Sequence, residues 1–119
     1  MNNETQFQPA KYGCWLEGEI VKAEERTSRA GHPMTHVQVR IDNGTIYDAY
    51  LSNSGYPPLR ALVRSLKDVL GIAEHEPLPP AESLLGKKVA IMVFPWFKAG
   101  ISRDGISVFG FPKQNEIPF

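Results

Sequence analysis

From Thr35 to Ile41 the chain alternates strictly: Thr35, Val37, Val39 and Ile41 fall on one face of an extended strand, His36, Gln38 and Arg40 on the other. Asp42-Asn43-Gly44 follows, a strong hairpin signal because Asn and Gly tolerate the positive φ of a tight turn. The pattern then predicts a third strand over residues 45–51. Upstream, residues 15–25 read as a first strand with Leu16, Ile20, Val21 and Ala23 as its apolar contacts. Its faces are mixed, and Gly18 in its middle predicts a bulge or a sharp bend. Residues 27–33 between these strands are turn chemistry throughout. The period changes after residue 58, where Leu59, Leu62, Val63, Leu66, Val69 and Leu70 recur at helical spacing and Gly71 ends the run. A Pro-rich, acidic link and a short turn near residues 81–85 lead to a fourth strand over 87–97, with Val89, Ile91 and Val93 alternating against Ala90, Met92 and Phe94. A loop is expected from Lys98 to Gly105, then a fifth strand over 106–111.

Three strands, one helix and two more strands is the order of an OB-fold. The expected class is all-β with one helix: a five-stranded, partly open Greek-key barrel whose helix sits between strands three and four. The chain has 119 residues, which suits one compact domain with a real core. Residues 1–12 are expected to form a flexible arm, 13–111 the barrel and 112–119 a tail. Nothing in the first residues resembles a secretory signal, and no apolar run reaches the length of a membrane span. The one cysteine, Cys14, excludes an internal disulfide and suits a reducing compartment, so a cytoplasmic location is expected.

Charge is balanced, 13 basic residues against 13 acidic, whereas nucleic-acid-binding domains tend to be basic. Distribution matters more than the sum. An OB-fold binds oligonucleotides over strands two and three, between the loop joining strands one and two and the loop joining strands four and five. Here the first loop carries Arg26, Arg29 and His32, the second carries Lys98 and Arg103, and the second strand adds Arg40 and His36. The acidic residues gather on the first strand and around the helix. A single strand also needs aromatic platforms, since base stacking contributes about 1–3 kcal/mol per base. With a two-residue turn at Asn43-Gly44, Arg40 lies opposite Tyr47, which then shares the outward face while Asp48 and Tyr50 point inward. A longer turn reverses this and exposes Tyr50. Trp96 closes the fourth strand beside Lys98, while Phe94 and Phe109 read as core and Trp15 suits either role.

The chain ends Glu116-Ile117-Pro118-Phe119, which resembles the partner-docking tip of bacterial single-stranded DNA-binding proteins. Pro118 stiffens the backbone, Phe119 offers an apolar anchor, and a terminal carboxylate suits a basic rim. Lys113, Gln114 and Asn115 stand where that family carries acidic residues, and its long Gly-rich linker is missing. The stretch from Gly18 to Met34, the Asp48-x-x-Leu51 segment, the helix and Leu85-Gly86-Lys87 resemble phage-encoded OB-fold proteins of the same kind, loosely, over residues 13–111. The resemblance implies binding of single-stranded DNA without strong sequence preference, in phage or bacterial replication, recombination or repair. It implies partner proteins at the tip and no cofactor, and it leaves a homo-oligomer open.

No enzyme is expected. The chain lacks a phosphate-cradling Gly-rich loop and any recognisable nucleophile setting. Cys14, His32 and His36 fit no standard zinc spacing. Two rivals remain: an OB-fold protein-interaction module that uses the tip and binds no DNA, and an RNA-binding barrel. The second strand has none of the closely spaced aromatics an RNA-binding barrel of the cold-shock kind carries there.

Overall fold

A computed structural model describes residues 12–52, 57–98 and 101–112, with backbone alone at 57–58, 96–98 and 101–103. Five strands form one antiparallel sheet in the order β3-β2-β1-β4-β5: β1 (Leu16–Thr27), β2 (Pro33–Ile41), β3 (Ile46–Leu51), β4 (Lys88–Lys98) and β5 (Ile101–Gly110). One α-helix, α1 (Pro57–Leu70), lies between β3 and β4 in the chain, and a 3-10 turn spans Ala81–Leu84. The molecule is therefore mostly β with one helix. Among the described residues no helix is long and apolar enough to cross a membrane.

The central strand β1 changes partner along its length. Leu16 and Glu17 pair with β4 alone, Gly18 and Glu19 with both β4 and β2, and the rest of the strand with β2 alone. Gly18 sits where β1 is flanked on both sides, opposite Ile41 and Val89. The irregularity expected near Gly18 falls at Val21, where the ladder steps from Ile20↔Val39 to Lys22↔Gln38. That extra residue lets Ile20 and Ala23 both turn toward the core. Where β1 leaves β4, the Ile20 N–H donates to the Lys87 carbonyl at 2.9 Å and its carbonyl accepts from Gly86 at 2.8 Å.

The alternation read in β2 holds: Thr35, Val37, Val39 and Ile41 are all buried. The helix stripe holds as well, with Leu62, Val63 and Leu66 in the core and α1 packed on β5 and β3. Gly71 closes the helix at φ +76°, its N–H reaching the Asp68 carbonyl at 3.2 Å while Ile72 N–H reaches Lys67 at 2.9 Å. This is a Schellman cap, and the positive φ is why glycine stands there. Strand β5 also approaches β3, so the sheet curls toward closure around Val37, Val89, Ile91 and Ile106.

Of the loop expected from Lys98 to Gly105, Lys98 and residues 101–105 are instead strand, and residues 99–100 lie outside the described residues. Ser102 pairs with Phe97, Arg103 with Trp96, Asp104 with Pro95 and Gly105 with Phe94, so β4 and β5 form a long hairpin. The run is polar because β5 is the last strand of the ladder and answers to one strand partner. Part of its free edge is satisfied by the helix: Phe109 N–H donates to Ser65 Oγ at 2.9 Å, and that hydroxyl donates to the Leu62 carbonyl at 2.7 Å. Phe109 is core as expected, at 3% exposure. Phe94 is not; it follows its own alternation with Met92, away from Val93, and is exposed.

Candidate nucleic-acid interface

The turn between β2 and β3 decides which aromatic faces outward. Ile41 N–H donates to the Thr45 carbonyl at 2.9 Å and Gly44 N–H to the Ile41 carbonyl at 2.8 Å. The loop thus holds three residues, Asp42, Asn43 and Gly44, with Gly44 at φ +93°. Such a loop is a tight turn followed by a left-handed glycine. Arg40 therefore pairs with Ile46 and Val39 with Tyr47, one step from the expected register. A one-residue step exchanges the faces of a strand. Tyr47, expected outward, is buried at 5% exposure, and Tyr50, placed inward by the shorter turn, is exposed at 43%.

Three cross-strand rows build the outward face of β1, β2 and β3: Glu24–His36–Tyr50, Lys22–Gln38–Asp48 and Glu19–Arg40–Ile46. Tyr50 lies flat on His36, with ring centroids 4.5 Å apart and planes 8° from parallel. The imidazole is only 4% exposed because the phenol ring covers it. Its edges are fixed too. His36 Nε2 is 2.7 Å from Asp48 Oδ1, and Arg26 Nη1 is 3.5 Å from Nδ1. A guanidinium only donates, so Nδ1 is the accepting nitrogen in that contact and Nε2–H donates to Asp48. Gln38 Nε2 donates to the same carboxylate oxygen at 2.9 Å, which holds Asp48 against the ring edge. Asp48, placed inward by the shorter turn, is an outward, bonded group.

The acids on this face are matched locally. Lys22 pairs with Glu24 at 3.6 Å and Lys88 with Glu19 at 3.5 Å, while Asp48 is held by His36 and Gln38. Arg29 stands exposed in the tight turn between β1 and β2, where His32 N–H donates to Ser28 Oγ at 3.0 Å and Gly31 N–H to the Ser28 carbonyl at 2.9 Å. Arg40 is exposed at the opposite end of the face. Among the described residues neither Arg29 nor Arg40 makes an ion pair. The face thus offers a rigid exposed ring with exposed guanidinium groups at both ends.

The site residues read from the sequence divide accordingly. Arg26, His36, Arg40 and Tyr50 share the outward face of the sheet, with Arg29 beside it, and Tyr47 leaves the set. Trp96 and Arg103 are paired in the β4–β5 hairpin and Lys98 ends β4, which is all the structure describes of them. Glu116, Ile117, Pro118 and Phe119 lie outside the described residues. Sequence reasoning missed the part of Asp48 and Gln38 in holding His36, and it missed Tyr12, which stacks on Phe94. The signal for the first was present, since all lie at alternate positions of paired strands. No family model matches this chain, and a search of curated proteins finds no relative.

Proposed function

We propose that the chain is an OB-fold barrel that binds single-stranded DNA without strong sequence preference, in replication, recombination or repair. The observation that carries this reading is the Tyr50 ring, exposed and stacked flat on a buried His36. An exposed aromatic already held flat loses little freedom when a base settles on it. Arg26, Arg29 and Arg40 supply the phosphate contacts, and any base is accepted because every base has a π-face. Strand order, the β1 partner change and the approach of β5 to β3 support the barrel. Trp96, Lys98 and Arg103 would extend the groove onto the β4–β5 hairpin, and the Glu116–Phe119 tip would recruit replication or recombination proteins. The chemistry needs no cofactor and no catalytic group.

Anisotropy of a labelled oligo-dT across a salt series tests this. Affinity falls as salt rises, and Arg40→Ala lowers the slope of log affinity against log salt by about 0.7, the counterion share of one phosphate contact on a single strand. An unchanged slope removes Arg40 from the interface.

One observation favours a protein-interaction module as the second reading. Trp15, Val69, Val108 and Phe111 line a shallow groove of about 660 Å³ between the start of β1, the helix and the end of β5, joined by Glu17 and Asp68. Trp15 and Phe111 are 50% and 69% exposed there. An oligonucleotide that fails to bind at low salt would turn attention to that groove.

A further inference from the structure

A second pair of exposed rings lies on residues that the Tyr50 face does not use. Tyr12, just before β1, forms an isolated bridge with Val93 of β4. Its ring lies nearly parallel to that of Phe94, centroids 6.2 Å apart and planes 13° from coplanar, the geometry of an offset stack. Both rings are open to solvent, at 45% and 40% exposure. The far edge of Tyr12 is pinned: its hydroxyl donates to Asp104 Oδ1 at 2.6 Å. That bond, first among several causes, raises the Tyr12 phenol above its ordinary pKa and keeps it a donor. The cross-strand partner of Phe94 is Gly105, which has no side chain to lie beside the ring.

We propose that Tyr12 and Phe94 form a second stacking station, on which the strand that crosses Tyr50 lays a further base. The inference rests on the DNA reading. Three features of the pair select a base. Two offset rings present a flat apolar surface of the kind an unpaired base prefers. The carboxylate bonded to Tyr12, Asp104, disfavours a phosphate and leaves the uncharged base as the group admitted. The station is also linked to the strand that carries Tyr50, since Phe94 pairs with Gly105 of β5 and β5 approaches β3.

The test is photocrosslinking of the full chain to oligo-dT substituted with 5-iododeoxyuridine, with crosslinked residues read by mass spectrometry. Affinities of Phe94→Leu, Tyr12→Leu and Tyr12→Phe are measured on oligonucleotides of increasing length. Crosslinks are expected at Tyr12 or Phe94 as well as at Tyr50. Each Leu variant is expected to lose about 5- to 30-fold in affinity on long oligonucleotides and little on the shortest that bind, from the loss of one stacked base. Tyr12→Phe keeps the ring and stays near wild type. If the wild-type chain binds and crosslinks only at Tyr50, with Phe94→Leu as tight as wild type at every length, the second station is wrong and the DNA reading stands. If the wild-type chain binds no oligonucleotide, both fall. Crosslinking uses unaltered protein, so a variant that fails to fold does not decide the outcome.

Discussion

Tyr50→Ala is expected to lower single-strand affinity about tenfold to a hundredfold while the barrel stays folded. A base stacked on a protein ring contributes about 1–3 kcal/mol, and every 1.4 kcal/mol is a factor of ten. The loss should sit toward the upper part of that range, because the ring is already held in place. His36 supports it from below at 4.5 Å, and Asp48, Gln38 and Arg26 surround the imidazole. Tyr50→Phe keeps the flat ring and should bind within about twofold of wild type, since stacking does not need the hydroxyl. Folding should survive because Tyr50 is 43% exposed and the core lies on the other face of β3, at Tyr47, Ala49 and Leu51. Parallel titrations with oligo-dT, with far-UV circular dichroism on each variant, check both halves. An alanine variant that is folded and binds as wild type removes Tyr50 from the interface.

Gly18→Ala is expected to cause a large loss of stability, larger than that of Gly110→Ala. A Cβ at this position would stand 2.7 Å from Val39 Cγ1 and 2.9 Å from the Arg40 carbonyl oxygen. The first is a fully buried core side chain and the second is backbone, so neither moves cheaply. β1 is also trapped between β2 and β4 at this residue, so it cannot drift to one side. Overpacking of this kind costs about 1–3 kcal/mol, against which the entropy gained by replacing glycine returns about 0.5–1 kcal/mol. With about 4–8 °C per kcal/mol for a domain of this size, the melting temperature should fall by about 5–15 °C. Gly110→Ala is the comparison. Its Cβ would meet the Trp15 ring at 2.6 Å, but that ring is half exposed and can swing aside, so the loss should be smaller. Equal melting temperatures for Gly18→Ala and wild type would mean that β1 is not pinned at this crossing.

The two cases show which features could be read from the sequence. The β2 face, the helix stripe and the order of elements were visible because burial on one side imposes a period on the residues themselves. The outward aromatic was not, because Asp42-Asn43-Gly44 serves a two-residue and a three-residue loop equally well. The choice between them exchanges Tyr47 for Tyr50. The start of β5 was hidden for another reason. Ser102, Arg103, Asp104 and Gly105 carry no apolar pattern, and only their ladder with β4 makes them strand. Tyr12 was hidden by distance, since its partners Phe94 and Asp104 are more than 80 residues away along the chain. Arg26, Arg29 and Arg40 were legible from charge placement, but that Arg29 and Arg40 make no ion pair among the described residues is a fact of the fold.

The central claim is that this face receives unpaired bases, and its most direct measurement is quenching of intrinsic Tyr and Trp fluorescence by poly-dT, set against a duplex of equal length, at low and high salt. Quenching by the single strand is expected, weaker at high salt, with far less effect from the duplex, whose bases are already stacked. Equal response to both would mean phosphate attraction without stacking. No response to the single strand at low salt would contradict the account outright.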